Sequence, residues 1–321
     1  MSVSIIVATF NRSALLAECL THLSRQRFEA GDEVIVVDNG STDDTPATIT
    51  AAVAAFSVPL RHLYEPTPGK SHALAKATAA AKGDVLAFTD DDVLIGPTWL
   101  SKIRDLMRDR SMALVGGPVV AMCEERAPDW LRIASDGTGR LAAPLGLLNY
   151  GPRRVDLECR TLLGSNLAVR REVLTRIGGF ATHLGKLRGT LLTGEDHDLC
   201  RRVEAAGFRA IYDPDVPVRH WVPAKRMRLR YYMSWFFWSG VTHAALDGQP
   251  VSRSILGVPL YIYRRFAVSA ARAAVSIVAG RQRDAIEHLV DVAFAAGYAR
   301  GRWQFAPSAP LLHVFGGWSC M

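Results

Sequence analysis

Three consecutive aspartates, Asp90-Asp91-Asp92, follow the apolar run Val85-Leu86-Ala87-Phe88. Adjacent carboxylates at the end of a buried strand repel one another unless a cation or water relieves them, so a positive group is expected there. Magnesium and manganese take carboxylate oxygens and keep positions for substrate phosphates, which makes a divalent metal, Mn2+ or Mg2+, the expected cofactor. In an extended segment Asp90 and Asp92 point the same way and could serve metal and nucleotide together; a solvated acidic turn is the alternative. A second cluster, Glu195-Asp196 with Asp198, opens a segment of helical character. One carboxylate suffices to cap a helix by accepting from its first orphan amides. Three exceed that need, so a base that deprotonates a hydroxyl is expected.

His220, in Val218-Arg219-His220-Trp221, reads alone as a structural histidine, and as a ligand only if it lies near the aspartates. Gly69-Lys70-Ser71 is not a phosphate loop, because Tyr64 stands where that motif needs glycine. Lys70 could still meet a phosphate as a point charge at the start of a helix, or be an ordinary surface lysine.

The elements that must position these groups alternate. Apolar strand-like runs at Ser4 to Thr9, Glu33 to Val37, Leu60 to Tyr64 and Asp84 to Thr89 are separated by helical stretches at Ser13 to Arg25, Asp43 to Phe56 and Ser71 to Ala81. Such alternation predicts a parallel sheet with right-handed crossovers, with ligands beyond the carboxyl ends of the strands. The polar loops at Thr9 to Arg12, Asp38 to Asp44 and Thr89 to Asp92 fall at those ends. Val169 to Ile177 and Asp198 to Ala206 read as further helices.

At 321 residues and 49% hydrophobic, the chain can bury a large core. The five cysteines (Cys19, Cys123, Cys159, Cys200, Cys320) are scattered and never paired as CxxC, which argues against a disulfide framework or zinc site and for a reducing cytoplasm. The net charge of +7 is concentrated after residue 200 and favours a surface partner of the C-terminal part over a nucleic-acid groove. The basic and aromatic character beyond Val222-Pro223 places a boundary near residue 224. No run reaches the length of a spanning helix. Arg226, Arg228 and Arg230 with Tyr231, Tyr232, Trp235, Phe236 and Trp238 read either as a membrane-surface helix at the inner face of the membrane or as a helix packed on the catalytic domain.

Taken in order, Ile5 to Arg12, Val36 to Asp43, Gly83 to Asp92 and Gly194 to Leu199 resemble the signature of glycosyltransferase family 2. Gly164-Ser165-Asn166 with Arg170-Arg171, and Gly178-Gly179-Phe180, resemble its central segment, so the likeness spans residues 3 to about 222. The resemblance implies a GT-A fold (α/β, a Rossmann-like, mostly parallel sheet flanked by helices) over 1–224, with a mainly helical extension over 225–321. It implies inverting transfer from a nucleoside-diphosphate sugar to a glycan or lipid-linked acceptor, with no nucleic acid involved. Asp38 matches the acid that recognises the base, with Ala8 and Phe10 lining it. Arg12, Lys70, Asp90 and Asp91 fall on the donor side. Asp90 and Asp92 match the metal motif, His220 a further ligand, and Asp196 the catalytic base. Ser165, Asn166 and Glu195 are expected near sugar or acceptor. Ala8-Thr9-Phe10 departs from the commoner proline-tyrosine loop and leaves the nucleotide open. A sugar-phosphate nucleotidyltransferase would need a glycine-rich loop after the first strand, where Ala8-Thr9-Phe10-Asn11 stands. An inactive, membrane-associated scaffold would not need the intact aspartates.

Overall fold

The computed structural model describes residues 1–131, 139–181, 194–247 and 253–304, so Cys320 lies outside the described residues. These residues form two compact units, one of 1–122, 139–181 and 194–222, the other of 123–131, 223–247 and 253–304.

The first unit begins with β1 (Val3–Thr9), α1 (Ser13–Ser24), β2 (Glu33–Asp38), α2 (Thr45–Ala52), β3 (Leu60–Tyr64), α3 (Lys70–Ala80) and β4 (Val85–Asp90). It continues through β5 (Val93–Ile95), α4 (Trp99–Met107), β6 (Met112–Gly116), β7 (Val119–Cys123), β8 (Val155–Asp156) and β9 (Asn166–Arg170). It closes with α5 (Arg171–Arg176), α6 (Glu195–Ala205), β10 (Arg209–Tyr212) and β11 (Val218–Val222). The main sheet has the order β3-β2-β1-β4-β9-β6-β10-β8. Its first half is parallel: β1 lies between β2 and β4, and β3 extends β2. Helices cover both faces of such a half, which is why Val34 to Val37 and Val85 to Phe88 are continuous apolar runs and fully buried.

Two expectations are corrected. Residues 169–170 belong to β9, not to a helix; β9 runs antiparallel to both β4 and β6, and α5 starts only at Arg171. A short buried run such as Leu167-Ala168-Val169 has no periodicity of its own to separate strand from helix. The second helix is shorter than 43–56. Asp43 stays outside it, accepting from the Thr45 hydroxyl at 2.6 Å, and after Ala52 the chain tightens into a 3-10 turn over Val53–Ala55. A smaller sheet, β5-β11-β7, completes the unit.

The second unit contains α7 (Leu229–Leu246), a short hairpin of β12 (Ser254–Ile255) and β13 (Val258–Pro259), α8 (Leu260–Val278) and α9 (Gln282–Gln304). α9 packs on both other helices. It meets α7 backbone to backbone: a Cβ at Gly240 would collide with the Phe294 carbonyl, and one at Gly297 with the Phe237 carbonyl. The aromatic run of α7 serves this packing. Tyr232 and Phe236 are buried, and Trp130 stacks edge-on against Tyr232 at 5.1 Å. Arg226 is buried as well. α7 thus packs on α9 within its own unit. Among the described residues no helix is long and apolar enough to cross a membrane.

Candidate active site

The parallel half of the sheet sets the site. Thr9 is in register with Asp38 of β2, and Ala8 with Asp90 of β4, so three strand ends present their polar residues side by side. Asp38 is buried, and its Oδ1 accepts from the Ser41 N–H at 2.8 Å. Phe10, one residue past β1, is exposed at this edge.

β4 ends at Asp90, and Asp91-Asp92 form a turn into β5. The three aspartates therefore do not share one extended segment, and Asp90 meets one cation while Asp91 and Asp92 share another. Lys70, first residue of α3, places Nζ 2.5 Å from Asp90 Oδ1. Burial disfavours the Lys70 charge, but Asp90, Asp196 and Glu195 outweigh it and leave the ammonium pKa raised. Arg12 Nη1 lies 2.8 Å from both Asp91 Oδ1 and Asp92 Oδ2. The Thr9 hydroxyl donates to Asp91 Oδ2 at 2.8 Å. Burial lifts the Asp91 carboxyl to about 6; Arg12 opposes the rise and Asp92 adds to it. Asp91 is thus held inward by Thr9 and Arg12.

The structure brings His220 to the aspartates. β11 pairs antiparallel with β5, His220 opposite Val93, and the Trp221 N–H donates to the Asp92 carbonyl at 2.8 Å. His220 Nε2 then stands 3.3 Å from Asp92 Oδ1. Gly146 lies against the ring, where a Cβ would be 3.3 Å from Cε1.

The second acidic cluster is built by α6, which starts at Glu195, three residues earlier than the sequence suggests. Gly194, at φ +120°, takes a backbone conformation that side-chain-bearing residues avoid and so turns the chain into the helix. The Gly164 N–H donates to Asp196 Oδ2 at 2.8 Å, and a Cβ at Gly164 would lie 2.6 Å from Asp196 Oδ1. Glu195 Oε2 and Asp196 Oδ1 are shut off from solvent without a hydrogen-bond partner among the described residues. Burial, and next the Glu195 charge, push Asp196 up to about 7, against the pull of Lys70 and the Gly164 amide. Asp198 braces the frame instead, with its Oδ2 lying 2.7 Å from Arg202, which also binds the carbonyls of Ile177 and Gly179.

Ser165 is buried beside Gly164. Asn166, expected near sugar or acceptor, has its amide committed elsewhere. Its Oδ1 accepts from the Trp99 indole at 2.8 Å, and its Nδ2 donates to the Pro118 and Val216 carbonyls at 3.0 and 2.7 Å. It ties β9 to its surroundings as part of the frame. Thr9 and the amide of Gly164 are contacts that residue types alone did not single out.

The carboxylates Asp90 to Asp92, Glu195 and Asp196 outnumber the cations Lys70 and Arg12, and burial with the Glu195 charge leaves Asp196 raised, one oxygen unpartnered among the described residues. Among the described residues no three acidic, histidine or cysteine side chains form a metal cage by themselves. The donors fit a partial set of the kind magnesium or manganese completes with phosphate oxygens and water.

The glycosyl transferase family 2 model matches residues 4–178. The glucosyl-dolichyl phosphate glucuronosyltransferase of Haloferax volcanii is 26% identical over 258 residues, 77% of this chain and 78% of that one. Succinoglycan biosynthesis protein ExoM of Rhizobium meliloti is 30% identical over 249 residues, 77% and 75% of the two chains. A Pyrobaculum calidifontis mannosyltransferase, solved with GDP-Man and Mn2+, superposes with a TM-score of 0.63 at 22% identity, covering 94% of this chain and 87% of that one. That likeness shows the fold, and the relatives set aside the nucleotidyltransferase reading. The chain belongs to glycosyltransferase family 2, and it is a glycosyltransferase with the GT-A fold.

Proposed function

We propose that the protein is an inverting, metal-assisted glycosyltransferase that moves a sugar from a nucleoside diphosphate to an acceptor hydroxyl, with Asp196 as the base. The observation that carries this reading is the state of Asp196. Its Oδ1 is buried and unpartnered among the described residues, its pKa is raised to about 7, and the Gly164 amide fixes its other oxygen. A carboxylate with a value near the working pH is suited to accept a proton from an attacking hydroxyl.

In this reading Asp38 receives the nucleotide base, with Ala8 and Phe10 lining it, and Arg12 and Lys70 face the diphosphate. Asp90, Asp92 and His220 would hold Mn2+ or Mg2+, which supplies charge compensation for the departing diphosphate when bound. Asp91 keeps Arg12 in place. Glu195 and Ser165 flank the sugar or acceptor. Asp196 withdraws the acceptor proton as the hydroxyl attacks opposite the leaving group, and holding the two in line supplies the remaining advantage.

A relative named for transfer to a glucosyl-dolichyl phosphate and another named for succinoglycan biosynthesis support a lipid-linked or growing glycan acceptor. The solved mannosyltransferase holding GDP-Man and Mn2+ supports a nucleoside-diphosphate sugar and a divalent cation. With a lipid-linked acceptor the enzyme would work in the cytoplasm at the inner face of the membrane.

The test is a panel of nucleotide sugars with Mn2+, scored by donor hydrolysis and thermal shift, followed by Asp196→Asn on the active donor. The variant should keep donor binding and lose transfer by several orders of magnitude. Full activity would remove Asp196 as the base. Retention of the donor's anomeric configuration in the product would remove inversion.

A further inference from the structure

We propose that the outward face of α8, together with the hairpin before it, docks on an anionic lipid surface. This inference goes beyond the reading of the catalytic site, and a vesicle assay tests it without any sugar transfer.

α8 is built inside out for a helix of a water-soluble domain. Its buried positions are Ile262, Ser269, Ala273 and Ser276, three of them small and two of them hydroxyls. Beyond Ile262, its large apolar side chains are exposed: Val275 and Ile277 60%, Val278 90%, and Tyr261 57% although its ring edges onto Tyr298 of α9. An amphipathic helix facing water places its apolar stripe against the core; here Val275, Ile277 and Val278 are left exposed instead. The hairpin adds Leu256 at its turn, 76% exposed, and Trp303 on α9 is 54% exposed. The Trp303 indole donates to the Leu256 carbonyl at 3.1 Å, which joins the two into one patch. Leu256 itself sits at φ +51°, so an apolar side chain is carried in a conformation that favours glycine.

Charge selects the occupant. α8 contains Arg264, Arg265 and Arg272 and no aspartate or glutamate. Arg265 is taken by Asp291 of α9 at 2.7 Å, on the side of the core. Arg264 and Arg272 are exposed on the outer side and make no ion pair among the described residues. An arginine among exposed aliphatic and tyrosine side chains suits the boundary between headgroups and acyl chains. There the apolar body is buried and the guanidinium meets a phosphate. A polar protein partner would leave the aliphatic surface uncovered, and a purely apolar one would strand the arginines.

The experiment is flotation of the full chain with vesicles of phosphatidylcholine alone and of phosphatidylcholine with phosphatidylglycerol, at low and high salt. Wild type should float with the anionic vesicles, and salt should weaken the association because its basic part is screened. Val275→Asp with Val278→Asp should abolish flotation. Arg264→Gln with Arg272→Gln should weaken it about thirtyfold, the factor two basic contacts supply beside an anionic surface. All four positions are exposed, and unchanged circular dichroism melts confirm that the variants fold. Failure of wild type to float, or flotation indifferent to both variants, overturns the proposal. So does flotation that appears only after removal of residues 305–321, which would assign the face to that segment. A dimer in sedimentation velocity that Val275→Asp with Val278→Asp dissolves would assign it to a second copy, and also overturns it.

Discussion

Gly164 and Asp196, from separate parts of the chain, are in direct contact: the glycine N–H donates to Oδ2 at 2.8 Å, and a methyl at 164 would stand 2.6 Å from Oδ1. The carboxylate proposed as the base is therefore set by a main-chain donor and by the lack of a side chain opposite it. Gly164→Ala should push the carboxylate out of line and lower kcat by about a hundredfold, the cost of a displacement near 1 Å. Nucleoside-diphosphate affinity should hold. Turnover and calorimetry on the same preparation separate the two, and unchanged kcat would show that the carboxylate has room to move.

Asp196 also makes the free enzyme's stability depend on pH. Burial and then Glu195 raise it to about 7 from the ordinary 3.8. The folded state thus keeps a proton that the unfolded chain releases. This contribution is complete below about 3.8 and is lost as pH rises through 7. Without divalent cation, Asp196→Asn should raise Tm over wild type, and by more at pH 8 than at pH 5. A difference independent of pH would contradict the raised value.

Asp92 and His220, 3.3 Å apart, test the metal. Binding of a nucleoside diphosphate in Mn2+ should weaken at least tenfold, about 1.4 kcal/mol, in Asp92→Ala and in His220→Ala. Wild type in chelator should behave the same way. Equal affinity under all these conditions in calorimetry would remove the metal from donor binding.

Asn166→Ala should act on stability alone. It strands the Trp99 indole and the Val216 carbonyl, and takes one of two donors from the Pro118 carbonyl, which keeps the Val218 N–H. Leaving buried groups unpaired here should cost on the order of 3 kcal/mol, read as a lower urea midpoint at unchanged slope. A stable variant with weakened donor binding would return Asn166 to the sugar site.

The parallel half of the sheet was legible because it is local. Four apolar runs, three of them followed by polar loops, sufficed to find β1 to β4 and to place Thr9, Asp38 and Asp90 at one edge. The rest depends on pairings distant in sequence. His220 reaches Asp92 only because β11 lies beside β5, and nothing in Val218 to Trp221 announces that partner. Asn166 is expected near sugar or acceptor from the family's central segment, yet its amide answers Trp99, Pro118 and Val216. The tryptophans and tyrosines after residue 230 carry a composition shared by packed and interfacial helices. Composition alone does not say which of them face inward, and the burial of Tyr232 and Phe236 does.

The backbone contact between Gly240 and Phe294, and between Phe237 and Gly297, has a consequence for the order of synthesis. α7 leaves the ribosome before the helix it must touch, and α8 emerges between them. Until α9 follows, Tyr232 and Phe236 sit on a helix that lacks one of its packing partners, a state open to misassociation during translation. α9 acts as a latch: a nascent chain halted before Gln282 would carry α7 and α8 with nothing to close on them.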